Sequence, residues 1–152
     1  MGVDAQLVFG EADSLVATGT STKTIAQVRA AANHGVDIVG FGIYGDSVDL
    51  DAVPVPAELL RQTTDGTMTG ATVTKGNDSN ADTLDTTGGH TATAEPTAGD
   101  ILHPFQYAPS AGYVFMWPQD ARPHVGAADR VGLRVLTPAV DHNVNGWISF
   151  KE

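Results

Sequence analysis

The chain has 152 residues, no cysteine, 41% hydrophobic residues and a formal net charge of -10, from 8 basic against 18 acidic side chains. That length holds a single domain, in which roughly 70% of the unfolded chain's surface can be buried. The missing thiols exclude disulfides, thiolate metal sites and cysteine nucleophiles, and the acidity argues against a nucleic-acid backbone or an anionic membrane surface as partner.

The first residues carry no targeting pattern. Met1 to Ala5 lacks basic residues, Leu7-Val8-Phe9 is too short for a signal core, and Gln6 stands where a myristoylated chain has Ser or Thr. No stretch approaches the roughly 20 apolar residues that span a bilayer. Residues 1–20 are expected to form an extended N-terminal arm around a short strand near 6–10, with Leu7 and Phe9 as candidate contact residues.

Two segments then have helix-like composition, Ile25 to Ala32 and Ala57 to Gln62. Both are short and lack an N-cap with a capping box, and the second follows Pro54 and Pro56, which favour extended backbone. They are read as strands near 22–30 and 55–62. Between them, residues 36–44 are β-rich, and Gly40 and Gly42 sit beside bulky neighbours, as in a strand that another group approaches closely. Asp65-Gly66 is a tight-turn pair ahead of a strand near 68–74.

From Lys75 to Asp100 the chain has Leu84 as its only large aliphatic residue. Unstructured loops beyond roughly 12–15 residues are usually functional or disordered. The Thr/Asp/Gly-rich composition suggests a long irregular loop or an arm that orders against a neighbouring subunit, with Leu84 and His90 as candidate contact residues.

The last third reads as four strands near 101–107, 112–117, 130–136 and 143–150. Pro104 puts the first at an edge or a bulge. Tyr113, Phe115 and Trp117 share one face of the second, and Val114 and Met116 share the other. Trp147 faces away from Val144, Ile148 and Phe150. Tyr113, Phe115, Trp117 and Trp147 are therefore candidate interface residues or, for Tyr113, Trp117 and Trp147, sugar-stacking platforms. Some nine strands without helices make the fold all-β, a single-domain β-sandwich over residues 1–152. Connections of uneven length favour a jelly roll over a meander.

No chemical motif is complete. Asp78, Asn80 and Asp82 open like a calcium loop, but Thr83 replaces the turn glycine and Gly89 the closing Glu. Asp46, Asp49 and Asp51 read as solvated loop charge. No two of His34, His90, His103, His124 and His142 have metal-ligand spacing, and a cupin-like set stops at His90 and Glu95. Gly45-Asp46-Ser47 echoes the GDS esterases, but Asp120 and His124 are spaced one residue too far for their second block. The expectation is a non-enzyme with no catalytic residues, metal or cofactor.

Glu58-Leu59-Leu60-Arg61-Gln62-Thr63-Thr64, then Asp65-Gly66-Thr67, then His90 through Asp100, followed by Gly112-Tyr113-Val114 and Arg130 to Val135, resembles a group of short virion proteins of tailed bacteriophages and prophages. The resemblance runs from about residue 22 onward and leaves Val3 to Val16 without a matching motif. It implies a jelly-roll capsid decoration, or cement, protein on the outer surface of the head. Such a subunit is made in the host cytoplasm, binds the major capsid protein, assembles as a homotrimer and stabilises the shell. The competing expectation is a carbohydrate-binding β-sandwich of a phage fibre or a secreted assembly.

Overall fold

The computed structural model describes residues 2–10, 15–46, 53–77, 79 and 81–152. The strands in chain order begin with β1 (Asp4–Phe9), β2 (Val16–Ala17), β3 (Lys23–Arg29), β4 (Val36–Gly45), β5 (Val55–Gln62), β6 (Thr67–Ala71) and β7 (Val73–Lys75). They continue as β8 (Thr87–Ala94), β9 (Ala98–Tyr107), β10 (Tyr113–Met116), β11 (His124–Val125), β12 (Arg130–Val135) and β13 (Asn143–Lys151), with one 3-10 turn at Gln119–Ala121.

Two antiparallel sheets result. The first runs β10-β4-β13-β1-β7, with β11 added to β4 and β2 to β13; the second runs β6-β8-β3-β12-β5-β9. The pairs β1 with β13, β3 with β12, β4 with β10 and β5 with β9 nest one inside the next along the chain. Nested pairing of eight strands, folded over into two sheets, is jelly-roll winding. Strands β6, β7 and β8 are an excursion between the fourth and fifth of those eight, and they extend both sheets on one side.

Alternation places the core. Leu7, Phe9, Phe41, Ile43, Ile148 and Phe150 of the first sheet meet Ile25, Val28, Leu59, Val131, Leu133 and Val135 of the second, all fully buried. The helix-like segments are strands as expected. Val55, Ala57 and Leu59 alternate into the core, and β5 also buries Glu58, Leu60 and Gln62 on its opposite face.

Three expectations are corrected. Residues 4–9 are not an extended arm: β1 lies inside the first sheet, hydrogen-bonded between β13 and β7. Ala5, Leu7 and Phe9 alternate into the core, so Leu7 and Phe9 are packing residues without an exposed surface to offer. The stretch 75–100 is not one long loop, because β8 and the start of β9 occupy 87–94 and 98–100. A Cβ at Gly88 would lie 2.7 Å from Leu7 Cδ1, and one at Gly89 would lie 2.9 Å from Met68 Cβ. The small residues that suggest a loop are there because neighbours press on this strand. The single strand expected near 68–74 is two, β6 and β7, which belong to different sheets.

Candidate functional site

The solvent face of the first sheet departs from the pattern of a one-sided antiparallel sheet, whose outward positions are normally polar. With Leu7, Phe41, Ile43 and Ile148 inside, Val8, Gly42, Trp147 and Val114 point outward. Their register puts them in one cross-strand row, Val8 opposite Trp147, Trp147 opposite Gly42 and Gly42 opposite Val114. The next row runs Thr74, Gln6, Ser149, Gly40 and Met116. On the other side Asn145 pairs with Tyr44. Exposure reaches 44% at Val8, 40% at Tyr44, 49% at Val114 and 53% at Met116.

The two glycines of β4 make this face flat. A Cβ on Gly42 would lie 2.7 Å from Trp147 Nε1, so the indole lies across the position where a side chain would stand. A Cβ on Gly40 would collide with Met116 Sδ. Trp147 and Met116 thus lie down on β4 and do not project. None of the three rows contains an ionisable side chain other than Tyr44. Charge returns at one end, where Asp4 pairs with Lys151, Lys151 with Asp37 and Asp37 with His124. Near the Asn145–Tyr44 row the surface dips into a shallow depression of about 200 Å³ lined in part by Val8, Tyr44, Asn145 and Trp147.

The aromatic face of β10 turns the other way. Tyr113, Phe115 and Trp117 are half-buried and pack against the core across the opening between the edge strands β9 and β10. His103 stacks on Phe115 at 4.0 Å between ring centroids, Phe105 on Tyr113 at 4.6 Å, and Trp117 meets Phe115 edge-on at 4.9 Å. Burial lowers the pKa of His103, and its Nε2 meets the Tyr113 hydroxyl at 2.9 Å. These rings present their faces mainly to one another, and the aliphatic face of β10 is the more exposed of the two.

The runs at 58–67, 90–100 and 130–135 converge on the second sheet. Strand β8 pairs with β3 only as far as His90 opposite Ala26, and Thr91 then turns away with φ 52°. Glu95 fills the gap, its carboxylate accepting the Thr24 N–H at 2.9 Å and the Thr24 hydroxyl at 2.8 Å. Gln62 Nε2 donates to that hydroxyl at 2.9 Å, and Gln27 Nε2 donates to Gln62 Oε1 at 2.7 Å. A Cβ at Gly132 would collide with the Gln62 amide, so this glycine makes room for the chain of bonds. Beside it, Thr97 N–H donates to Thr64 Oγ1 at 2.8 Å, and Asp65 is bridged by Arg29 at 3.3 Å and Arg130 at 2.6 Å. Glu95, Thr64 and Asp65 tie turns to the sheet, and the Gln27–Gln62–Thr24 bonds link β3 to β5. Elsewhere on this sheet Arg134 pairs with the buried Glu58.

One further cluster has the spacing of metal ligands among the described residues: His34, Asp85 and Glu152, with ligand atoms within 4.8 Å of one another. The Glu152 carboxylate already accepts the N–H groups of Asp85 and Thr86, each at 2.9 Å, and meets His34 Nε2 at 2.6 Å. This is a clasp between the chain end, the β3–β4 turn and the 76–86 connection. Sequence spacing could not show it, because its members lie far apart in the chain.

Of the sequence-derived contact residues, Trp147 is on the flat face, and Tyr113, Phe115 and Trp117 line the opening between the edge strands. Leu84 packs against the core. His90 is half-buried in β8, its Nδ1 2.9 Å from Thr91 Oγ1. Val8 and Tyr44 escaped the sequence reading, although alternation against Leu7 and Ile43 was the signal available, and Val114 and Met116 were placed together on one face of β10 without being chosen as contact residues. Ser47, Asp49 and Asp51, and Asp78 and Asn80 of the calcium-like run, lie outside the described residues. No family model, curated protein or solved structure matches the chain.

Proposed function

We propose that the chain is a structural virion protein, a capsid decoration or cement subunit that binds the major capsid protein on the outer surface of a tailed-phage head and stabilises the shell. It assembles as a homotrimer and uses no cofactor, nucleic acid or membrane. The observation that carries this reading is the flat, uncharged sheet face, with its apolar row Val8–Trp147–Gly42–Val114, on an otherwise acidic jelly roll. Such a face is suited to contact with protein, since exposed apolar patches of this kind mark interaction surfaces. The polar clusters add support, because they are engaged in tying strands, turns and the chain end to one another. The resemblance of the 58–67 and 90–100 runs to phage decoration proteins points the same way.

The test is co-sedimentation of purified protein with heads that lack it. Saturable binding with a fixed number of copies per head is expected; a protein that stays in the supernatant at all concentrations contradicts the proposal.

A carbohydrate-binding module is favoured by one observation, the Trp147 indole lying across Gly42 beside Tyr44 and Asn145. An aromatic plane with an amide next to it is a sugar-stacking arrangement. Glycan-array binding that Trp147→Ala abolishes would establish it; an array without signal would remove it.

A further inference from the structure

We infer that a glycine-floored hollow on the second sheet, beside Gln27, is a binding site for a neutral sugar. It is a function beyond the shell contact proposed above and does not depend on it. It is also separate from the Trp147 arrangement, which lies on the other sheet.

Register puts Gly70 of β6, Gly89 of β8 and Gln27 of β3 side by side in one cross-strand row. Two of these three positions have no side chain, and the surface sinks into a hollow of about 350 Å³ whose rim includes Arg29, Asp65, Thr67 and Thr87. A Cβ on Gly70 would meet nothing within 4 Å, so the space above it is open. The volume is at the lower end for small-molecule sites.

The Gln27 amide gives this hollow its chemistry, and its orientation is fixed from the far end of a chain of hydrogen bonds. As a carboxylate, Glu95 only accepts, so the Thr24 hydroxyl donates to it and accepts from Gln62 Nε2. Gln62 Oε1 is then an acceptor, and Gln27 Nε2 donates to it at 2.7 Å and to the Asp65 carbonyl oxygen at 3.3 Å. The Gln27 N–H groups are thus used inside the protein. Its Oε1 is the polar atom left for the hollow, and no donor reaches it among the described residues. Gln27 is only 5% exposed, so a rigidly held acceptor awaits a donor from outside the chain.

The rest of the lining decides what brings that donor. Arg29 and Asp65 pair at 3.3 Å, so the charges of the rim offset one another and favour neither an anion nor a cation. An apolar ligand would leave Gln27 Oε1 unpaired. An extended peptide finds no strand edge in the floor, because β8 and β3 have neighbours on both sides. A neutral ligand dense in groups that both donate and accept fits, and sugar hydroxyls are such groups. One hydroxyl donates to Gln27 Oε1, while its neighbours accept from Arg29 and meet Thr67 and Thr87 at the rim.

Titration of the full chain with glucose, galactose, mannose and N-acetylglucosamine, followed through amide NMR shifts, tests this. At least one of the four should give saturable shifts centred on Gln27, Gly70 and Gly89. Gly70→Leu places a side chain in the open space and should weaken that binding about tenfold or more. Gln27→Met keeps the side chain's length, removes the acceptor and should weaken binding about tenfold. Thermal melts show whether each variant folds, and Gly70→Leu decides the matter if Gln27→Met does not.

No saturable shift with any of the four sugars overturns the inference, as does binding that Gly70→Leu leaves intact. Sugar binding lost in Trp147→Ala but kept in Gly70→Leu also overturns it, and places the sugar on the first sheet. Binding to bare heads lost in Gly70→Leu, without any response to sugar, overturns it and gives the hollow to the shell. Sugar binding that Gly70→Leu removes, in a chain that does not bind heads, supports the inference and contradicts only the proposed function.

Discussion

The Glu95 carboxylate stands in for a strand: it accepts the backbone N–H of Thr24 at 2.9 Å and the Thr24 hydroxyl at 2.8 Å, where β8 has already turned away from β3. A backbone donor that would otherwise be left unpaired is thereby paired with an anion. Hydrogen bonds to a charged group contribute about 1.5–3 kcal/mol, less where solvent competes. Glu95→Ala should destabilise the fold by about 1–2 kcal/mol, read as a lower denaturation midpoint at unchanged m-value.

A Cβ on Gly132 would collide with the Gln62 amide, so a side chain there would displace that amide from its hydrogen bonds to Gln27 and Thr24. Gly132→Ala is expected to cost about 2–3 kcal/mol through overpacking and the broken Gln62–Thr24 bond. In Gln62→Ala the space is open, so adding Gly132→Ala should cost much less. A double-mutant cycle measures this as coupling, and additive effects would show that the glycine is needed for another reason.

At the chain end, burial acts to raise the Glu152 pKa, but the Thr86 hydroxyl, the N–H groups of Asp85 and Thr86, and His34 together outweigh it and leave the carboxyl below its ordinary 4.5. A carboxyl held low in the folded state contributes stability that is present above about pH 4.5 and is lost as pH falls through the folded value. The protection factors of the Asp85 and Thr86 amides, taken against the intrinsic exchange rate at each pH, should therefore fall on acidification before those of the core strands. Glu152→Gln should show fast exchange at these amides already at neutral pH.

Tyr107 is fully buried, with its hydroxyl 2.6 Å from His142 Nε2, and burial pushes its pKa well above the ordinary 10.0. The neutral phenol is the folded form, so its contribution is complete below about pH 10 and declines as pH rises toward the folded value. Phenolate absorbance should show a tyrosine that titrates only when the fold is lost, and Tyr107→Phe should remove that step.

The strands at 22–30 and 55–62 could be read from sequence because helices of their composition would need caps that are absent. Nested jelly-roll pairing was foreseeable only as a preference, from uneven connections. Strand β8 was hidden because the usual signal for a strand is bulk, and Gly88 and Gly89 are small where Leu7 and Met68 press on them. Period-2 alternation put Trp147 on the solvent side of β13 correctly. For β10 the same alternation gave two apolar faces and no means to choose, and the choice depends on Phe41, His103 and Phe105, which come from β4 and β9. The face built by Val8, Trp147 and Val114 spans strands separated by most of the chain, so it exists only once the sheet is assembled.

The most direct measurement of the proposed function is DNA release from heads lacking the protein, heated in its absence and in its presence at saturation. A shell-stabilising subunit raises the release temperature, and the gain saturates with the bound copies. Release at the same temperature with and without the protein would contradict the account.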